Sequence, residues 1–421
     1  MMRKTRGLSR TYLGLLQLIW LCALCHLMLI PISSLAQTQN PSGENWVASW
    51  GCAPGFAIGQ ELSDQTLRQF VRLSVGGDHV RIRLSNETGS QPLVIGAAHL
   101  AIAGREKGSI EPSSDRVLTF AGSPTITVPP GSLVLSDPVD LEVQPLTKLA
   151  ISLYITRDTG LSVIHPVGGE TGYLSASGNE ASQSTIANAT TVAERYFLTR
   201  VEVSLSNSAG TVVALGDSIT DGRGSMPDAD RRWPDRLAER LNERGLRFGV
   251  VNAGISGNRI LHDLPEMVSG PSALSRFDRD VLSVPGVKFL IILEGINDIT
   301  HAISDDLPEQ AVTAEQIVGG LKQLIARAHG NHLKVFGATL LPGEGEPEFT
   351  VQVETARVAI NEWIRTGHAF DGIIDFDSVV RDPEHPARLR SDYDSGDHVH
   401  PNDAGYRAMA DAIDLNLFGK E

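Results

Sequence analysis

Cysteine is nearly absent. Of three, Cys22 and Cys25 fall within the first 25 residues, leaving Cys52 without a partner if that segment is removed. A disulfide-stapled scaffold and a cysteine-based zinc site are therefore excluded from the body of the chain, and Cys52 is expected to be a buried small apolar side chain. Positive charge is short as well. Lys and Arg number 36 against 50 Asp and Glu, a net charge of −14, and an acidic surface repels a phosphate backbone, so nucleic acid is not expected as a partner. Aromatics make up 5% and no long apolar run occurs after the first thirty residues, which leaves little for a lipid interface to grip.

The one long apolar run lies at the start. Arg3, Lys4, Arg6 and Arg10 precede residues 12–30, and Ser34, Leu35 and Ala36 supply the small residues that a signal peptidase reads. Residues 1–36 are expected to be an export signal, placing the protein in the periplasm or outside the cell. An uncleaved anchor is the alternative, and contact with a membrane is expected only in that case. Cleavage would remove four positive charges and no negative ones, leaving 32 basic against 50 acidic side chains, a charge of −18. No small residue directly precedes either leader cysteine, which argues against a lipid anchor.

Two textures follow. Residues 45–205 look like β structure. Val80 to Leu84 alternate with period two, residues 125–128, 133–135 and 149–155 are short apolar or β-branched runs, and Gly and Pro clusters punctuate them. This spacing predicts a β-sandwich or jelly roll. Residues 66–73 fit strand or helix equally, and 175–194, rich in Ser, Ala, Asn and Thr, reads as a loop or lid edge over the junction. Residues 211–418 alternate instead between short apolar runs (212–215, 249–251, 287–293, 333–339, 372–376) and amphipathic stretches (233–244, 313–328, 351–366, 401–417). Five strands with crossover helices predict an α/β fold with a doubly wound, five-stranded parallel sheet, whose ligands bind beyond the carboxyl ends of the strands.

Polar clusters stand at several of those ends. The first run leads into Gly216-Asp217-Ser218-Ile219-Thr220-Asp221, where Ser218 is either a nucleophile or a helix-capping serine. The second leads into a glycine loop, Gly254-Ile255-Ser256-Gly257-Asn258-Arg259, whose Gly257 N–H could face a developing oxyanion. The third ends in Glu294-Gly295-Ile296-Asn297-Asp298, where the Asn297 amide is a second oxyanion donor or a turn residue. Before the last helix stand Asp397-His398-Val399-His400. A serine hydroxyl needs a neutral imidazole within reach, oriented by a carboxylate, and Asp397 and His400 can supply both. These residues superficially resemble a metal pair too, but convincing third and fourth ligands are missing, with His262 and His385 unassigned.

Taken in order, Gly-Asp-Ser, a glycine block, Gly-x-Asn-Asp and Asp-x-x-His resemble the SGNH (GDSL-type) hydrolases, and no Gly-x-Ser-x-Gly elbow competes. The resemblance implies Ser218 as nucleophile, His400 as base and Asp397 as its orienter. It also implies an oxyanion hole of Ser218, Gly257 and Asn297, with no metal or organic cofactor. Asp221 and Asp298 are expected to shape turns, with substrate contact as a second option; Asn258, Arg259 and His398 are candidate substrate contacts. Trp46 to Pro54, Thr66 to Asn86 and Gly168 to Tyr173, followed by a Gly-Asp-Ser segment, resemble exported two-domain esterases grouped with xylanase-associated acetylesterases. That resemblance implies a small acyl ester, acetyl foremost, on a saccharide. A general carboxylesterase or lysophospholipase-type activity is the alternative within enzymes, and a non-catalytic glycan-binding surface protein the alternative outside them. The β domain is expected to wall the active-site cleft rather than bind glycan itself.

Overall fold

The computed structural model describes residues 45–205, 210–264, 269–304 and 307–419, and the expected leader lies outside them. Residues Asn45–Glu421 form one compact unit. Among the described residues no helix is long and apolar enough to cross a membrane.

The N-terminal part is built from antiparallel sheets. One has five strands, with Leu198–Leu205 between Asn45–Gly51 and Gly77–Asn86; another has seven, with Lys148–Ile155 between Gln65–Arg72 and Leu93–Ile102. Alternation explains their facing. Val80, Ile82 and Leu84 from the first sheet and Leu149, Ile151 and Leu153 from the second are fully buried in one shared core, the sandwich arrangement that period two demands. A third sheet, Ala57–Gly59, Ser162–His165 and Arg195–Tyr196, lies beside them.

Gln65–Arg72 settles the strand-or-helix ambiguity as strand. The reason is tertiary. Six of its eight residues are buried, including Arg68, which a helix on a surface would expose. Arg68 donates to Ser152 Oγ at 2.8 Å and to the carbonyls of Gln183, Ala181 and Ser184 at 2.6, 3.2 and 3.2 Å. Residues 181–184 of the expected loop are thus pinned to the N-terminal sheets by a buried guanidinium.

The C-terminal part is a parallel sheet of five strands in the order Phe248–Gly254, Gly210–Gly216, Val287–Leu293, Lys334–Ala338, Gly372–Ile374. The chain reverses direction across the sheet beside the Gly210–Gly216 strand, so the crevice at that strand's carboxyl end is where a ligand is expected. The helices begin where capping side chains allow. Thr313 and Gln316 form a capping box for Ala314–Gly330, Thr350 caps Val351–Thr366, and Asn402 caps Asp403–Asp411. The last helix is shorter than the sequence pattern suggests and passes into a 3₁₀ turn at Leu415–Phe418.

The two parts share an extensive seam. Ala48 N–H donates to Thr211 Oγ1 at 3.1 Å, Val250 N–H to Ser74 Oγ at 2.8 Å, Arg200 to the Ser283 carbonyl at 2.9 Å, and Arg72 pairs with Glu239 at 2.8 Å. Cys52 is partly buried near this seam, its thiol donating to the Leu198 carbonyl at 3.5 Å, and burial pushes its pKa up to about 12, which keeps it in the unreactive thiol form.

Candidate active site

Strand Gly210–Gly216 delivers Ser218 to the sheet edge. Asp217 adopts an extended backbone and accepts the Ile219 N–H at 2.9 Å, so the short helix Ser218–Asp221 starts immediately, and Gly222 ends it in the left-handed region at φ 103°. Ser218 is then the first helical residue, with its amide free of intrahelical partners. Close packing fixes the turn from below: a Cβ on Gly254 would stand 2.3 Å from the Asp221 backbone nitrogen, so only glycine lets the second strand approach.

The ring of His400 lies within reach. Its Nε2 is 2.8 Å from Ser218 Oγ and its Nδ1 is 2.7 Å from Asp397 Oδ2. In the neutral ring Nδ1–H donates its hydrogen bond to the carboxylate, so Nε2 presents its lone pair to the serine hydroxyl, which donates. The other oxygen of Asp397 accepts the backbone N–H groups of His400 and Val399 at 2.9 and 3.1 Å and the Ser395 hydroxyl at 3.2 Å. Partial burial works to raise the Asp397 pKa, but the His400 ring and these backbone donors outweigh it and hold the carboxyl well below the usual range. Asn402 secures the loop. Its amide donates to the Asp392 and Asp394 carbonyls at 3.0 Å each while its oxygen caps the final helix.

Opposite the serine stand Gly257 and Asn297. Gly257 has φ 76°, and a Cβ there would lie 2.4 Å from Ser269 Oγ, so the position requires glycine on two counts. Asn297 occupies the first turn of Ile296–Ser304 and gives one amide hydrogen to the Asn258 carbonyl at 3.0 Å, which fixes the carboxamide and leaves its second N–H for a ligand. Ser218, Gly257, Asn297, Asp397 and His400 all line one cleft of about 530 Å³.

Asp221 and Asp298 hold turns, and the candidate substrate contacts Asn258 and Arg259 turn inward, a correction with the same cause: each satisfies buried backbone or side-chain groups. Asp221 accepts from Ser256 N–H at 3.1 Å and Ser256 Oγ at 2.8 Å. Asp298 accepts the Ile260 and Leu261 N–H groups at 2.8 and 3.0 Å, and burial, opposed by those donors, raises its pKa to about 6. Asn258 donates to the Ser269 and Pro271 carbonyls, and Arg259 binds Gln310 at 2.7 Å. All four are 1% exposed, which places them behind the cleft wall. His398 does face the cleft, at φ 66° with its Nδ1 2.7 Å from Asp394.

Residues 214–408 match the model of the GDSL-like lipase/acylhydrolase family. That span holds Ser218, Gly257, Asn297, Asp397 and His400. Solved structures that resemble the chain include a GDSL-like lipase from Bacteroides thetaiotaomicron, 20% identical over 50% of this chain and 88% of that one, with a TM-score of 0.36. An acetyl xylan esterase is 23% identical over 48% of this chain and 96% of that one, TM-score 0.37, and the M. smegmatis aryl esterase is 19% identical over 50% and 99%, TM-score 0.39. A search of curated proteins found no match.

Several residues of the cleft escaped the sequence reading. Arg223, Thr300, His301 and the loop from Gly345 to Phe349 complete its wall. The loop follows the fourth parallel strand, and its Gly-Glu-Gly-Glu-Pro-Glu composition was the available signal. Behind the cleft, fully buried Arg276 donates to the carbonyls of Ala253 and Gly216 and to Asn258 Oδ1, joining the ends of two strands to the glycine loop. His165, from the N-terminal part, reaches the same region. Its Nδ1 contacts the Ala53 carbonyl at 2.7 Å and its Nε2 contacts Asp221 at 2.9 Å, both side chains being buried.

Proposed function

We propose that the protein is an exported serine esterase that removes small acyl groups, acetyl foremost, from carbohydrate. The observation that carries the catalytic part is the hydrogen-bonded row Ser218 Oγ, His400 Nε2, His400 Nδ1, Asp397 Oδ2, with consecutive separations of 2.8 and 2.7 Å across its two contacts. In the reaction His400 takes the Ser218 proton as Oγ adds to the ester carbonyl. The N–H groups of Ser218 and Gly257 and the Asn297 amide hold the tetrahedral oxyanion, and Asp397 stabilises the imidazolium. The ring then gives its proton to the leaving alcohol, and water repeats the sequence through the same base to free the acid and restore Ser218.

The character of the cleft supports a small acyl group on a polar carrier. Its apolar lining is confined to Ile296, Pro347, Phe349 and Val399, enough to cover a short acyl chain, while Arg223, Thr300, His301, Glu346, Glu348 and His398 offer partners to hydroxyl groups. Export rests on the leader sequence alone, and the carbohydrate carrier rests also on the resemblance of the N-terminal segments to xylanase-associated acetylesterases.

Initial rates on p-nitrophenyl esters from acetyl to long acyl chains, beside acetate release from acetylated xylan, test this reading. It expects rates that fall steeply beyond short chains, together with acetate release. Highest activity on long chains would favour a lipid esterase. No hydrolysis by the pure, folded protein would leave a glycan-binding role.

A further inference from the structure

We propose that the cleft at Ser218 continues across Arg223 onto the N-terminal sheets as a groove that seats further sugar units of an acylated oligosaccharide. This rests on the carbohydrate esterase reading above. Three hollows lie in a row and share walls. The first is the catalytic cleft, whose edge residue Arg223 also borders a second hollow of about 300 Å³ formed with Pro166, Gly169, Thr171 and Arg232. Glu170 and Thr171 of that second hollow also line a third, of about 160 Å³, with Phe70, Tyr173, Lys107 and Lys148. The row therefore leads from the serine to the face of the N-terminal sheets.

Its side chains suit a sugar better than an acyl chain. Tyr173 is half-buried, and Phe70 packs against it at a ring-centroid separation of 5.9 Å and an angle of 85°, which holds the phenol in place at the hollow. Lys107, 83% exposed on a side-chain basis, pairs with Asp228 at 3.3 Å, and Arg105 and Glu106 beside it in the chain are exposed. Lys148 is held between Glu170 at 2.6 Å and Asp230 at 3.3 Å, so the floor of the third hollow is charge-paired and firm.

The groove is also fixed relative to the nucleophile. The loop that follows helix Ser218–Asp221 is tied to the N-terminal part through Asp228. That residue gives its N–H to the Gly169 carbonyl at 2.9 Å and accepts the Thr171 N–H and hydroxyl at 2.7 and 3.0 Å. Sugar units bound there meet a preformed surface, and their binding energy can position an acyl group at Ser218.

The test compares kcat/KM on acetylated xylo-oligosaccharides of increasing length with kcat/KM on p-nitrophenyl acetate, which is too short to reach the third hollow. For wild-type protein the ratio of the two should rise with oligosaccharide length. In Tyr173→Ala and Lys107→Glu the rise should be lost, with a drop of about tenfold in the ratio on the longest substrate for the tyrosine variant. Tyr173→Phe, which keeps the ring and its packing, should stay within a few-fold of wild type. Acetate release whose length dependence is the same in wild type and both variants overturns the groove and leaves the esterase reading standing. Hydrolysis of p-nitrophenyl acetate with no acetate from any saccharide overturns the carbohydrate reading and the groove together.

Discussion

The antiparallel N-terminal sheets and the parallel C-terminal sheet are both well packed, yet only one gathers reactive groups. In antiparallel sheets successive strands end on opposite edges, so polar loop residues are scattered between two rims. In the parallel sheet every strand ends on the same edge, and residues as distant in sequence as Ser218 and His400 come within 2.8 Å there. The N-terminal part contributes where it touches that edge. It sends His165 to Asp221, and Asp221 holds Ser256, the neighbour of Gly257. One region thus holds the reacting groups and the other braces and extends them.

The sharpest way to break this division is to remove the base. His400→Ala should lower kcat by about 10⁴-fold or more while the protein stays folded, because the serine loses its proton acceptor. Hydrolysis of p-nitrophenyl acetate, with circular dichroism as the check on folding, measures it. Asn297→Ala removes one oxyanion donor and should cost about 10²- to 10³-fold in kcat, with a much smaller change in KM.

A smaller effect probes the brace. His165→Ala deletes hydrogen bonds to the Ala53 carbonyl and to Asp221, leaving buried acceptors unsatisfied, so stability in urea should fall by about 1–3 kcal/mol. Because Asp221 also holds Ser256, kcat should fall along with stability, whereas a purely N-terminal lesion of equal cost would leave kcat unchanged. Unaltered kcat in a destabilised His165→Ala protein would separate the two regions functionally.

A last probe is a pH trend confined to the C-terminal part. Burial pushes the Asp217 carboxyl up to about 7, with Asp298 and Asp221 nearby adding to the rise against the Ile219 N–H. An acid that binds its proton more tightly when folded loses stability as pH rises from its unfolded value, about 4, to its folded one. Asp217→Asn keeps an oxygen for the Ile219 N–H but cannot ionise. Relative to wild type its urea midpoint should therefore improve between pH 4 and 7 and hold level above that range; parallel trends in the two proteins would contradict the assignment.

How much of this was legible in the sequence depended on whether a residue's role is repeated by its neighbours. Strands buried on both faces must be apolar throughout, so Val287–Leu293 announced itself, and the parallel sheet followed. Three of the catalytic blocks were readable because each joins a strand end to a residue type with particular chemistry, and the fourth, Asp397 to His400, because a carboxylate and an imidazole three apart stand just before the last helix. Direction was not readable. Asn258, Arg259 and Asp298 stand beside catalytic residues in sequence, but a polar side chain in such a loop can face the cleft or satisfy groups behind it, and here the groups behind prevail. His165 was invisible for a related reason. A lone histidine in a strand has no pattern around it, and its partner lies 56 residues away. The Gly345 to Phe349 wall carries no periodicity because exposed loops need none.

Mass spectrometry of the protein after reaction with a fluorophosphonate is the most direct measurement. The account predicts a single covalent adduct on the Ser218 peptide, formed at a rate that collapses in His400→Ala and accompanied by loss of esterase activity. A fully inactivated enzyme carrying its adduct on any other residue, or an active enzyme whose Ser218 stays unlabelled while hydrolysis stops, would contradict it.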